Sequence, residues 1–175
     1  MMGHNVLNQI VNDEGTTSPA QALTLMNQKV LDSYKKDDER QQIDGMDMAL
    51  CAINWKTMEL EFAGALRPLW IVRGYEVLQF RGTKKAIGSP IGEEFQNTTV
   101  QLQKGDLIYM FSDGYPDQFG GVNGKKLKSS GFKKLLIAIK DKEPKHQRRE
   151  LDIYLNTWME NHEQLDDICV VGIKV

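Results

Sequence analysis

Two acidic stretches carry the side chains that chemistry would need. In "LIYMFSDGYPDQFGG", residues 107–121, five mostly apolar residues predict a buried strand over Leu107 to Phe111. Asp113 follows just past its C-terminal end, then Gly114 and a further carboxylate at Asp117. In "LDDICVVGIKV", Asp166 and Asp167 stand immediately before the last apolar run. A lone carboxylate at the end of a core strand is costly to desolvate. If the two strands pair antiparallel, about 4.8 Å apart, the end of one lies beside the start of the other, and Asp113 and Asp166 converge. Two carboxylates held together repel and raise each other's pKa. A hard divalent cation, Mg²⁺ or Mn²⁺, removes that conflict and suits an all-oxygen donor set. Gly114 has the character of a backbone that bends sharply beside such an ion. Asp-Gly is equally a favoured turn dipeptide, and Asp-Asp before a strand is an ordinary solvated start. Spacing alone leaves the turn and the metal readings both open.

The elements that must position these residues follow from periodicity. "HNVLNQIV" offers Val6, Leu7, Ile10 and Val11 as one helical stripe. Ser18, Pro19 and Gln21 predict a capped start to a second helix with Leu23, Met26, Val30 and Tyr34 on its inner face. Residues 35–42, "KKDDERQQ", predict an exposed polar loop. "MDMALCAIN" is apolar on both parities and suits a strand covered on both faces. "MELEF" alternates, with Met58, Leu60 and Phe62 inward and Glu59 and Glu61 outward, across a short "NWKT" loop. "PLWIVR" and "EVLQF" meet at Gly74, and "NTTVQL" leads through "QKGD" into the strand before Asp113. Two helices follow, carrying Phe132, Leu135, Leu136, Ile139 and then Leu151, Tyr154, Leu155, Trp158; "ICVVGIKV" is the closing strand. Helices segregated from a meander of strands indicate an α+β fold with helices packed on sheet faces. The closing strand must return to the sheet, because an orphan strand leaves its backbone unpaired.

The chain has 175 residues, 41% hydrophobic and 26% charged, which fits a single globular domain over residues 1–175. A net charge of -2 argues against a general nucleic-acid surface or contact with an acidic membrane. Cys51 and Cys169 lie in apolar runs without CxxC spacing and read as small core residues of a reducing compartment. No apolar run approaches the roughly 20 residues of a membrane span, and the N-terminus has no signal-peptide pattern, so a soluble cytoplasmic domain is expected.

"GDLIYMFSDGYPDQFGG", "LDDICVVGIKV", "EFAGALRPLWIVR" and "DGMDMALCAI" together resemble the SpoIIE-type protein phosphatases, the bacterial PP2C-like (PPM) serine/threonine phosphatases that serve as output domains of sensor and stress-signalling proteins. The resemblance runs from about Gly3 to Val175. It implies a sandwich of two antiparallel sheets flanked by helices. It also implies chemistry in which two Mn²⁺ or Mg²⁺ ions bridge a water that attacks a phosphoserine or phosphothreonine in line. Carried over residue by residue, it makes Asp113 and Asp166 metal ligands, with Gly114 and Asp167 beside them in supporting positions. Asp44 and Asp47 match a block that enters a core strand and supplies no ligand. "AGALRPL", with Ala65 and Leu66 departing from the family pattern, corresponds to a turn near the site.

One departure limits what the resemblance implies. The family's first metal block, Asp-x-x-Gly-His-Gly, precedes its first helix, and this chain contains no such block. The expectation is an N-terminally truncated domain lacking that block and the first strands. Without the bridging carboxylate, both ions should bind weakly, and hydrolysis by this chain alone should be slow or absent. The implied partner is a phosphoprotein substrate, of the kind of an anti-sigma-factor antagonist. The rival expectation is a partial or inactive domain that binds proteins or forms a homodimer through exposed sheet edges.

Other residues weigh less. His4, His146 and His162 match no metal or triad spacing. "KHQRRE" reads as a solvated helix face. Ser112 has no histidine placed to activate it, which disfavours a serine nucleophile. Residues 120–131, "GGVNGKKLKSSG", are either a mobile flap that contacts the substrate phosphate or an ordinary exposed loop. Trp55, Trp70 and Trp158 read as core and edge packing.

Overall fold

A computed structural model describes residues 2–34, 45–90 and 93–175. The polar stretch 35–42 and Asp44 lie outside the described residues. In chain order the elements are helix α1 (Met2–Asn8), a π-helical turn (Gln9–Asp13), α2 (Pro19–Tyr34), strands β1 (Met48–Asn54), β2 (Glu59–Ala65), β3 (Leu69–Arg73), β4 (Glu76–Phe80), β5 (Thr98–Gln101) and β6 (Leu107–Phe111). Then come the single-turn helix α3 (Gly114–Asp117), β7 (Phe119–Gly120), β8 (Lys125–Lys126), α4 (Lys128–Ile139), α5 (Pro144–Met159) and β9 (Val170–Lys174). Antiparallel sheets plus helices give the α+β architecture that the element order predicts. The chain falls into two compact units, Met1–Leu69 with Phe80–Leu102, and Trp70–Gln79 with Gln103–Val175.

The first unit carries a sheet of order β1-β2-β5, with Met48 opposite Ala65 and Leu60 opposite Val100. Leu60 and Phe62 are buried on β2 as the alternation predicts. Met58 is not in the strand. It ends the turn 55–58 at φ 55, because the Asn54 side chain accepts the Lys56 and Thr57 N–H groups and closes the turn one residue later than composition suggests. β1 is half-buried from Met48 to Ile53 and exposed at Asn54 instead of covered on both faces, and it is the end strand of its sheet. Helix α2 brings Leu23, Met26 and Val30 into a core with Ile10, Ala63, Ile87 and Phe95. Its start is capped from elsewhere in the chain. The Asn97 side chain accepts the Ala20 N–H at 2.8 Å and donates to Ser18 Oγ at 3.0 Å, while the Gln21 N–H reaches Ser18 Oγ only at 3.5 Å. Val11, expected on the inner stripe, is 40% exposed. The π-helical turn, closed by Glu14 N–H to Gln9 O at 3.0 Å, inserts a residue and rotates it out of register.

The second unit holds nearly all of a four-stranded sheet of order β4-β3-β6-β9. β6 lies between two strands and is buried on both faces, Leu107, Tyr109 and Phe111 on one and Ile108 on the other, which explains why its sequence is apolar on both parities. Leu107, Tyr109 and Phe111 share a core with Trp70, Val72, Phe132 and Leu136, and Trp70, Phe111 and Phe132 meet ring to ring at 4.6–5.8 Å. α5 begins at Pro144, its first helical residue, and turns Leu151 and Leu155 inward. Tyr109 donates to Gln147 Oε1 at 2.6 Å, and Tyr115 donates to the Leu151 carbonyl at 2.8 Å. Asp106, 1% exposed, receives both arms of Arg73 (2.9 and 2.7 Å) and the Gln103 N–H (2.9 Å). Its main-chain carbonyl accepts the Val175 N–H, which fixes the turn into β6 against the end of β9. Neither cysteine is a core residue: Cys51 is half-buried, its thiol pKa pushed up by that burial, and Cys169 is exposed just ahead of the end strand β9.

Two outcomes are expected. Arg73→Ala leaves the buried Asp106 carboxylate without its counter-charge and should lower stability in urea by about 3 kcal/mol, whereas breaking the exposed Lys174–Glu143 pair should change nothing measurable. Burial pushes the Tyr109 hydroxyl up to about 12, while an unfolded tyrosine ionises near about 10. The neutral form therefore stabilises the fold fully below the lower value, and this contribution is lost as pH rises from about 10 to about 12. Tyr109→Phe should flatten that part of the alkaline decline in urea unfolding.

Candidate functional site

β6 and β9 pair antiparallel, with Leu107 opposite Lys174 and Phe111 opposite Val170. The pairing required to bring the two acidic stretches together is therefore present. Just beyond the last strand pair the ladder changes character. The Ser112 N–H still donates to the Cys169 carbonyl at 3.0 Å. The Cys169 N–H instead donates to Ser112 Oγ at 2.9 Å, and Ser112 Oγ donates to the Asp167 carbonyl at 2.8 Å. The chain leaves the sheet at Asp113 (φ -71, ψ -14) and enters α3, whose first bond runs from the Asp117 N–H to the Asp113 carbonyl at 2.9 Å. Tyr115 anchors that turn in the core, its ring 4.6 Å from Phe132.

Gly114 is buried, but not for the reason its dipeptide suggests. Its φ is not in the left-handed region. A Cβ built on it would lie 2.4 Å from the Asp167 carbonyl oxygen and 3.0 Å from Ile168 Cγ1. Glycine is required here for clearance: the backbones on either side of the site touch at this position, one residue from Asp113 and one from Asp166.

Asp113 is half-buried, and Asp166 and Asp167 are exposed. Asp166 Oδ1 accepts the Asp167 N–H at 2.7 Å, and the Asp166 carbonyl accepts the Gln164 side chain at 2.8 Å. Asp167 meets the opposite segment through its main chain. Among the described residues there is no group of three or more His, Cys, Asp or Glu side chains able to enclose a metal. Chemically, carboxylates with water completing the shell suit a hard divalent ion such as Mg²⁺. The described donors at this sheet end do not supply a protein cage.

The remaining candidates have other employment. Asp117 pairs with Lys126 at 2.8 Å. Residues 120–131 are not a plain loop. They contain the end of β7, β8 and the start of α4, with the Gly121 N–H bonded to the Trp158 carbonyl at 2.7 Å and Val122 95% exposed at the hairpin tip. Asp47 pairs with Arg67 at 2.6 Å in the first unit, where "AGALRPL" forms a tight turn (Arg67 N–H to Ala65 O, 2.8 Å) with Leu66 at φ 62. His4, His146 and His162 are exposed, His162 Nδ1 standing 3.0 Å from the Met159 carbonyl. Lys145, His146, Arg148 and Arg149 are exposed while Gln147 is buried. Lys145, Gln147, Arg148 and Arg149 border a groove of about 840 Å³ between α5 and β9 that is also lined by Ile168. Sequence reasoning missed Ser112. It was weighed as a nucleophile, whereas the available signal was a hydroxyl residue at a strand terminus, a position that favours side-chain bonds to nearby backbone.

The sequence matches the family Stage II sporulation protein E (SpoIIE) over residues 1–175. Among curated proteins none matches it. The SiaA-PP2C domain of Pseudomonas aeruginosa is similar at 25% identity and a TM-score of 0.91, covering 100% of this chain and 68% of that one. The PP2C phosphatase domain, with a fragment of the regulatory domain, of the cell fate determinant SpoIIE from Bacillus subtilis is similar at 19% identity and a TM-score of 0.77, covering 99% and 48%. The RsbU and RsbW domains of Rv1364c from Mycobacterium tuberculosis give 18% identity and a TM-score of 0.70, covering 96% and 44%. The chain thus spans about half the length of the last two structures. Its antiparallel sheets and helices have the PP2C fold.

Gly114→Ala is expected to push the two backbones apart, lowering the urea midpoint by an amount equivalent to about 1–3 kcal/mol, more than alanine at the unobstructed Gly105 backbone position costs through clash alone.

Proposed function

The chain belongs to the SpoIIE family, and from that membership we propose that it is a metal-dependent phosphatase domain acting on phosphoserine or phosphothreonine of a partner signalling protein. Family membership supports the phosphatase activity itself. The observation that carries the reading of the site is the β6–β9 register, continued through Ser112 and Cys169, which sets Asp113 and the Asp166–Asp167 pair at one end of one sheet.

Asp113 and Asp166 would hold Mn²⁺ or Mg²⁺ through carboxylate oxygens. Gly114 permits the close approach, and Asp167 shapes the segment through its main chain. The ion, when bound, supplies Lewis acidity toward the phosphoryl group and the attacking water. The exposure of Asp166 and Asp167 leaves this end of the sheet open to a phosphorylated side chain on another protein. A substrate of the anti-sigma-factor-antagonist kind fits the resemblance to stress-signalling phosphatases, and one similar structure joins an RsbU to an RsbW domain. No helix among the described residues is long and apolar enough to cross a membrane.

A second reading rests on the sparse donor set: with two carboxylates and no third side-chain ligand among the described residues, the chain serves as a protein-interaction or homodimerisation module. β9 pairs with β6 on one side and, among the described strands, with nothing on the other, and it exposes Val171.

Hydrolysis of p-nitrophenyl phosphate with Mn²⁺ separates the two. Turnover is expected to be negligible for residues 1–175 and to appear when an Asp-x-x-Gly-His-Gly block is joined upstream. In that longer chain Asp113→Asn or Asp166→Asn should abolish it. Equal turnover with and without the block, or full activity in either Asn variant, rules out the proposed ligands.

A further inference from the structure

We propose that Ser112 is the positioning residue that sets the spacing of the two acidic segments, so that its hydroxyl, where the strand ladder ends, holds Asp113 and Asp166 in reach of one cation. This rests on the reading of those aspartates as metal ligands.

A hydroxyl has one proton to donate and lone pairs to accept with. The roles at Ser112 follow uniquely from its partners: the proton goes to the Asp167 carbonyl (2.8 Å), and a lone pair takes the Cys169 N–H (2.9 Å). In an unbroken antiparallel ladder, the Cys169 N–H would be taken by the Ser112 carbonyl, and both strands would run on side by side. The Ser112 side chain replaces its own carbonyl. That substitution releases the main chain to turn at Asp113 into α3 while the opposite segment remains gripped at two points, residues 167 and 169. Residues 167–169 belong to no strand; the Ser112 N–H also donates to the Cys169 carbonyl at 3.0 Å, and Ile168 packs against the core of the second unit. The clearance at Gly114 sets how near Asp167 comes, and the Ser112 hydroxyl holds it there.

The bonds sit at a partly open sheet end, so losing them leaves groups that water can satisfy, and the fold should survive. The consequence falls on the ion. A carboxylate on a loosened segment must be ordered at each binding event, and supporting hydrogen bonds of this kind change metal affinity by about 10–100-fold.

Titration with MnCl₂ alone, following free Mn²⁺ by electron paramagnetic resonance, compares the unaltered chain with Ser112→Ala, Ser112→Thr and Asp113→Asn, alongside amide hydrogen exchange of Cys169 without metal. Ser112→Ala is expected to weaken Mn²⁺ binding about 10-fold or more and to speed exchange at Cys169, with Ser112→Thr, which keeps the hydroxyl, restoring both. Should Ser112→Ala not fold, Ser112→Cys, with its weaker hydrogen bonds, is expected to show the same changes to a smaller degree. If Asp113→Asn weakens binding while Ser112→Ala, or Ser112→Cys in its place, binds as the unaltered chain does, the positioning role is overturned and the ligand reading stands. If Asp113→Asn itself binds Mn²⁺ unchanged, the ligand reading fails and the proposal falls with it.

Discussion

The pairing of the final strand with β6 is the constraint from which the rest of the second unit follows. A strand at the end of the chain must find backbone partners, and five residue pairs from Leu107–Lys174 to Phe111–Val170 provide them. Because the pairing is antiparallel, the exit of β6 and the entry to β9 are forced to one end of the sheet. Everything polar at that end inherits its position from this: the Ser112 clasp, the Gly114 contact and the turn into α3. The opposite end is closed by the pairing of Arg73 with the buried Asp106 and the main-chain bonds between residues 105–106 and Val175. Register is thereby pinned at both ends, and a slip of one residue would turn Tyr109 and Phe111 out of the core.

The elements that bury a regular face were legible in the sequence. α2, α4 and α5 announce themselves by three- and four-residue steps, β2 by alternation, and β6 by a run too apolar for any surface. Legibility failed where position depends on a partner distant in sequence or on a local change of period. Val11 turns outward because one extra residue enters the helix, and no composition signal marks it. The Asn97 cap on α2 is 77 residues from the group it accepts. The apolarity of Met58 fits the strand alternation, but the Asn54 side chain sets the turn that contains it. The cysteines looked like core residues because their neighbours are apolar; β1 and β9 are end strands, and apolar neighbours there do not guarantee burial.

The site was legible as a pair of acidic stretches and not as a geometry. Residue types single out Asp113, Asp166, Gly114 and Asp167, and the antiparallel pairing expected between the strands beside them is present. What spacing could not reveal was that Gly114 matters for its missing side chain more than for its backbone freedom, or that a serine dismissed as a nucleophile would bridge the two segments. Both depend on atoms across the sheet. The resemblance to SpoIIE-type phosphatases, now matched over the full 175 residues, supplied the family more surely than any single motif did.

Of the three tryptophans, Trp55 lies in the first unit and Trp70 and Trp158 in the second. Trp55 sits 57% exposed in a turn of the first unit, whereas Trp70 is 3% exposed between Phe111 and Phe132 in the second, with the Lys133 ammonium 5.1 Å from its ring. Light emitted by Trp55 will respond to a soluble quencher in the native state. The emission of Trp70 will stay shielded and blue until the second core opens, so its red shift reports loss of the β6–β9 unit.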